Sequence, residues 1–250
     1  MARKEHGRVP KRILRGTMPR PEFTLGGRSY RLEKSLKQDF FAATGRYVGP
    51  DGERVVLKHY HTEPWLGCPL AWAGRLMADR EVRHYRLLQD TGSVPRLLGR
   101  VGKSGFVHAW VEGTDLLDRR ERVPDDFFDL LEALVATMHE RQMAYVDMNK
   151  PDNVLASADG RPVLIDFQIS WAPRLDRGLL RGAKRRLLVL LQEADRYHVR
   201  KLKRKYRPDL MTDEERAAAK EPPWFLRMHR VVGAPLRDLR RKFLEWVGSR

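Results

Sequence analysis

One stretch, residues 147–168, constrains this chain more than any other. Asp147-Met148-Asn149-Lys150-Pro151-Asp152-Asn153 is an irregular polar loop, followed directly by the apolar pair Val154-Leu155. The chain turns at Asp159-Gly160, a favourable hairpin dipeptide, and returns through Val163-Leu164-Ile165 to Asp166-Phe167-Gln168. An Asp-x(5)-Asn loop, a tight hairpin and an apolar strand ending in Asp-Phe form a pattern that turn chemistry alone does not explain. The Asp and Asn side chains sit beside Val and Leu, so they read as inward-facing ligands rather than solvated loop residues.

The elements around this stretch divide the chain into two parts. From Phe23 to Val111 the signals are mostly strand: Ser35–Phe41 and Arg46–Val48 flank Ala42-Ala43-Thr44-Gly45, and the turn Gly49-Pro50-Asp51-Gly52 leads into the β-branched run Arg54–Tyr60. Leu76, Tyr85, Leu87 and Leu88 give Gly74–Asp90 helical spacing, and Leu97–Val101 with Gly105–Val111 make a second strand pair. Asp125–Arg141 reads as an amphipathic helix with Phe128, Leu131, Leu134 and Met138 on one face. Beyond Ser170 the chain reads as helical and basic over Leu179–Tyr206, Thr212–Lys220 and Leu236–Trp246. Thr212-Asp213-Glu214-Glu215 makes a capping-box start for the second of these. The expected architecture is α+β in two lobes. A basic tail over 1–22 precedes a sheet-rich lobe over 23–111. A hinge near Glu112-Gly113-Thr114 then opens a helical lobe with a basic helical extension over 112–250.

Phosphoryl transfer from ATP asks little covalent chemistry of a protein. It needs a cation on the phosphates, oxygen ligands for Mg²⁺, and a carboxylate that orients the attacking hydroxyl. Four pieces of that kind occur in the chain order that protein kinases use: Lys58 in Val-Val-Leu-Lys, Glu81 on the following helix, the loop Asp147–Asn153, and Asp166-Phe167-Gln168. The 13-residue step from Asn153 to Asp166 matches the spacing of the two metal ligands in kinases. Over about residues 30–200 the chain resembles the protein-kinase-like superfamily, in particular its small atypical members, the RIO-type kinases and the bacterial kinases of lipopolysaccharide core sugars. The resemblance makes Lys58 the lysine of the α/β-phosphates and Glu81 its helix partner. It makes Asp147 the catalytic aspartate, and Asn153 and Asp166 the ligands of Mg²⁺, with Mn²⁺ as the alternative ion. ATP would lie between the lobes, against Val56 and Ala109. Thr44 and Gly45 stand where the glycine-rich phosphate loop would be, with backbone amides that touch phosphate.

The departures from the pattern narrow this reading. Five residues rather than four separate the aspartate from the asparagine, so either the loop bulges or Asn149 or Asp152 shares a neighbour's role. Tyr145-Val146 replaces His-Arg, and Asp-Phe-Gln replaces Asp-Phe-Gly, which makes the flip that glycine permits less available. No Ala-Pro-Glu motif follows Asp166. That favours a dedicated acceptor, a protein Ser/Thr or a lipopolysaccharide-type sugar, over a regulated signalling kinase. A nucleotide-binding pseudokinase or scaffold and a basic RNA- or ribosome-associated binding protein are the rival readings.

Composition matters here through the placement of charge. The formal net charge is +16, with +5 in residues 1–22, +12 in 172–250 and −1 between them. Basic flanks on a neutral core suit an anionic partner, a membrane surface or RNA. The run Arg200-Lys201-Leu202-Lys203-Arg204-Lys205-Tyr206-Arg207 is the densest of these charges, and the apolar patch Trp65, Leu66, Leu70 and Trp72 would pack in the core or at a membrane interface. The single cysteine, Cys68, excludes an internal disulfide. No apolar run is long enough to span a bilayer, and no apolar segment of a signal peptide follows the basic start. The expected location is the cytoplasm, peripheral on the inner membrane surface.

Overall fold

The computed structural model describes residues 19–38, 41–62, 71–119, 121–176 and 179–227. Strands β1 (Glu22–Leu25), β2 (Arg28–Gln38), β3 (Ala42–Val48) and β4 (Arg54–Tyr60) precede helix α1 (Ala71–Leu88), and β5 (Leu97–Val101) and β6 (Gly105–Ala109) follow it. The strands form one antiparallel sheet in the order β1-β2-β3-β4-β6-β5. Alternation sorts its two faces. Phe23, Tyr30, Tyr47, Val55, Leu57 and Val107 make an outer cluster, with Phe23 stacked on Tyr30 at a centroid distance of 5.0 Å. The inner face receives α1, which buries Ala78, Val82, Tyr85 and Leu88.

The helical lobe joins the same core. A second antiparallel sheet, β7 (Gly113–Asp115), β8 (Val154–Ser157) and β9 (Pro162–Leu164), lies beside helices α2 (Phe127–Glu140), α3 (Arg181–Tyr206) and α4 (Asp213–Ala218). Helix α2 buries Phe127, Phe128, Leu131, Leu134, Val135 and Met138. One cluster runs from Tyr60 and Val82 through Phe167 to Val199 and Leu202, so the two lobes share their apolar interior. Each such side chain contributes roughly 1.5–3 kcal/mol of burial. The expected capping box is present: Thr212 Oγ1 accepts from Glu215 N–H at 3.1 Å, and the Glu215 carboxylate accepts from Thr212 N–H at 2.9 Å.

Several expectations change. Among the described residues strand structure begins at Glu22, and β2 starts at Arg28 rather than Ser35. The cause is a tight turn at Gly26-Gly27, whose φ values of 57° and 79° suit a two-residue hairpin. Residues 1–18 of the basic tail, Trp65, Leu66, Leu70 and the helix expected over Leu236–Trp246 lie outside the described residues; Trp72 is exposed on α1. Among the described residues, no helix is long and apolar enough to cross a membrane.

The basic run at the end of α3 is not a uniform solvated face. Arg207 is fully buried, donates to Val123 O at 2.7 Å, and reaches Asp125 and Asp209. Lys203 is buried with Glu215 at 3.4 Å and Asp129 at 3.8 Å. Lys201 and Lys205 are exposed. Two of the run's six basic residues, Lys203 and Arg207, therefore hold the helical lobe together. Lys203→Gln with Arg207→Gln is expected to lower the thermal midpoint by about 5 °C or more, because buried donors lose their acceptors. Lys201→Gln with Lys205→Gln is expected to shift it by less than about 2 °C. Equal shifts in a melting experiment would show that burial does not separate the two pairs.

Candidate active site

The cleft between the lobes collects side chains from both. Leu36, Lys37, Thr44, Val56, Lys58, Glu81, His108 and Trp110 line it from the sheet side, and Asp152, Asn153, Leu155, Ile165 and Asp166 from the other. Lys58 enters from β4 because its neighbours Val55 and Leu57 are turned into the outer cluster. Helix α1 brings Glu81 to it. Lys58 Nζ lies 3.0 Å from Glu81 and 2.7 Å from Asp166 Oδ1. Glu81 also accepts from the Tyr60 hydroxyl and, at 3.1 Å, from Phe167 N–H. Burial pushes the Lys58 ammonium down, but the Glu81 and Asp166 carboxylates outweigh it and hold Lys58 above its ordinary value.

Asp166 follows β9 with φ of 63°, a left-handed conformation that Asp tolerates better than most residues. Phe167 anchors it: the ring is fully buried, edge-on to Tyr85 at 4.9 Å and to Tyr145 at 5.3 Å. Burial raises the Asp166 carboxyl, yet the ammoniums of Lys58 and Lys37 together hold it below the usual carboxylate range. Lys37 Nζ reaches Asp166 Oδ2 at 3.0 Å, so each carboxylate oxygen faces its own ammonium.

The polar loop forms the opposite wall. Asp147 is buried and accepts from Asn153 Nδ2 at 3.0 Å and from Lys150 Nζ at 2.6 Å. A short helical turn, Pro151–Asn153, ends the loop, and Ile165 N–H donates to Asn153 O at 3.1 Å, tying it to the strand that delivers Asp166. Asn149 is exposed, Asp152 is exposed at the cleft, and Asn153 is buried against Asp147. The additional loop residue is thus taken up on the solvent side.

Behind the loop stands Asp195 of α3, fully buried, which sequence reading passed over. Its Oδ2 accepts from Tyr145 N–H at 2.7 Å and its Oδ1 from Val146 N–H at 2.8 Å, with His139 Nε2 3.3 Å away. Val146 has φ of 71°, a strained value for a β-branched residue. The Asp195 carboxylate holds that strain directly before Asp147. An aspartate within a strongly basic helix was the available signal. Tyr60 and Lys37 were also missed: a strand tyrosine and a strand-end lysine carry no motif.

Two expected residues sit elsewhere. Gly45 is not in a phosphate-binding turn; it lies inside β3 opposite Leu57, on the outer face. A Cβ there would meet Leu32 Cδ1 at 2.7 Å, so this glycine serves close packing. Thr44, one residue earlier, does face the cleft. Ala109 pairs with Val55 on the outer face and does not line the cleft; His108 does, and burial lowers its imidazole to about 4, so it is neutral near pH 7.

Among the described residues no three His, Cys, Asp or Glu side chains gather as a self-sufficient metal cage. The donor set nevertheless fits Mg²⁺: Asp166 supplies carboxylate oxygens and Asn153 a side-chain carbonyl oxygen. Mg²⁺ commonly takes one or two carboxylates together with substrate phosphates and water.

No protein-family model matches the chain, and no curated protein matches it by sequence. Solved structures do. The Rio2 kinase of Chaetomium thermophilum in its ADP/Mg²⁺-phosphoaspartate complex aligns with TM-score 0.54 and 16% identity over 75% of this chain and 60% of that one. Another structure of the same Rio2 kinase aligns with TM-score 0.54, 14% identity, 76% of this chain and 63% of that one. The BubR1 kinase domain aligns with TM-score 0.50 and 13% identity over 77% of this chain and 66% of that one. The chain therefore spans about three fifths of the length of the Rio2 chains it matches. At these identities the likeness concerns architecture: the chain has a protein-kinase-like fold.

Proposed function

We propose that this protein is an ATP-dependent phosphotransferase whose acceptor is a hydroxyl group, on a protein Ser/Thr or a lipopolysaccharide-type sugar. One observation carries the reading. Lys58 lies within 3.0 Å of both Glu81 and Asp166 in one cleft, opposite an Asp147–Asn153 pair joined by a buried side-chain hydrogen bond of 3.0 Å. In this reading Lys58 binds the α/β-phosphates, and Glu81 keeps it extended toward them. Val56, His108, Leu155 and Ile165 form the walls against the adenine. Asp147 orients the acceptor hydroxyl and takes its proton, and Lys150 carries positive charge beside it. Asp166 and Asn153 would hold Mg²⁺, which neutralises the charge that develops on the phosphates. The ADP and Mg²⁺ bound in the Rio2 complex support that choice of ligands.

The docking partner is proposed from exposure. At the start of α3, exposed Arg181, Arg185 and Arg186 alternate with exposed Leu179, Leu180, Leu187 and Val189. That mixture supports an anionic, partly apolar surface, such as the cytoplasmic face of a membrane. RNA is the alternative, and the salt slope of binding to each separates them.

Labelled ATP with a cell extract fractionated into protein, lipopolysaccharide and small molecules tests the acceptor class. Asp147→Asn is expected to lower kcat by about 10²–10⁴-fold with little change in nucleotide affinity, since it removes the base and keeps the shape. Asp166→Ala is expected to abolish Mg²⁺-dependent turnover and to weaken Mg-ATP binding in calorimetry while the protein stays folded. Wild-type protein that binds Mg-ATP without any turnover would make the cleft that of a pseudokinase.

The buried pair gives a second test. Lys58→Ala and Glu81→Ala should each depress turnover strongly, and the double variant should lose little more than Lys58→Ala alone, because the two act as a unit. Losses that simply add would separate Glu81 from the function of Lys58.

A further inference from the structure

The sequence that links β2 to β3, Gln38-Asp39-Phe40-Phe41, contains no glycine. A phosphate cradle made from closely approaching backbone amides relies on glycine at such a link. What β2 brings to the cleft is a side chain, Lys37. Its ammonium lies 3.0 Å from Asp166 Oδ2 across 129 residues of sequence, while Lys58 reaches the other oxygen, Oδ1, at 2.7 Å.

The two ammoniums on Asp166 are held very differently. Lys58 is 9% exposed in its side chain and is also fixed by Glu81. Lys37 has a side chain 50% exposed, at the end of β2, just past a register irregularity between Ser35 and Lys37. Exposed ion pairs are weak and exchange readily. With Lys37 in place, the charges of Lys58, Glu81, Asp166 and Lys37 balance. Without it the cluster carries one excess negative charge. A cation arriving at Asp166 Oδ2 therefore competes with Lys37 and not with Lys58, and a polyphosphate arriving in the cleft offers Lys37 a stronger anion.

We propose that Lys37 is an exchangeable counter-ion of this site. It caps Asp166 Oδ2 when the cleft is empty and passes to the nucleotide phosphates when the cleft is filled, supplying by side chain the charge that a glycine-rich turn supplies by backbone. The proposal rests on the reading of the cleft as a Mg-nucleotide site. It assigns to one residue two opposite effects: Lys37 weakens metal binding to the empty protein and strengthens nucleotide binding.

Lys37→Gln separates these effects, with Lys37→Arg as the charge-preserving control. Mn²⁺ titration of the nucleotide-free protein, followed by electron paramagnetic resonance, is expected to show roughly three- to five-fold tighter binding in Lys37→Gln than in wild type. Calorimetric titration with ADP in the absence of metal is expected to show binding weaker by a similar factor, and Lys37→Arg should stay near wild type in both. A purely structural role would move both affinities in one direction. Both changes in the same direction, or no change in either, overturns the assignment to Lys37. If wild-type protein binds neither Mg-ATP nor ADP, the cleft reading itself falls, a result distinct from wild-type binding with an unresponsive Lys37→Gln.

Discussion

A carboxylate sealed inside a protein is costly unless its oxygens are well supplied with donors. Glu81 meets that condition with three donors from two separate parts of the chain: the Lys58 ammonium and Tyr60 hydroxyl of β4, and the Phe167 N–H that follows Asp166. Because α1 carries the glutamate, the helix cannot shift against the sheet without stranding a buried charge. Because Phe167 N–H is one of the donors, the same carboxylate sets the position of Asp166 in the other lobe. The arrangement of the cleft thus follows from one buried group that must be satisfied from both sides.

The wall made by the Asp147–Asn153 loop has an equivalent support. Asp195 accepts from two consecutive backbone N–H groups and so keeps Val146 in a conformation that its branched side chain disfavours. Trp171 and Ala144 exchange both backbone bonds at 2.8 Å, and Ser170 Oγ donates to Tyr145 O at 2.9 Å. These contacts join the segment after Asp166 to the segment before Asp147. The loop is strained at its entry and braced on both sides, which is how a short polar loop keeps a fixed geometry.

Much of the architecture was legible because it depends on local chemistry. The hairpin around Asp159-Gly160, the apolar stripe of α2 and the Thr212 capping box each declare themselves within a few residues. The order Lys58, Glu81, Asp147–Asn153 and Asp166 was legible as a motif, and the structure brings these residues to one cleft. What was illegible depended on distant partners. Gly45 looked like a loop glycine, but its constraint comes from Leu32 on the neighbouring strand. Ala109 and His108 exchange places because a strand's facing is set by its register with β4. Lys203 and Arg207 read as charge for an anionic partner because the carboxylates and the Val123 carbonyl that hold them lie up to 84 residues away. Asp195, Tyr60 and Lys37 gain their meaning from contacts that no spacing encodes.

The path of the chain beyond Asp166 bears on how such a site is controlled. Only 14 residues separate Asp166 from Arg181, the first residue of α3. Helix α1 pins several of them: Arg80 donates to Ser170 O, Arg83 to Ala172 O, and His84 Nδ1 lies 3.4 Å from Phe167 O. Gln168 is not among the described residues with positive φ, so nothing in its backbone demands the glycine found at that place in the ordinary motif. The stretch 167–172, tethered in this way, has little room for the ordering transitions through which a long activation loop regulates a kinase. Asp166 is therefore placed by packing rather than by a switch. The groups of this cleft that can move without breaking buried contacts are the exposed side chains at its mouth, Lys37 and Asp152.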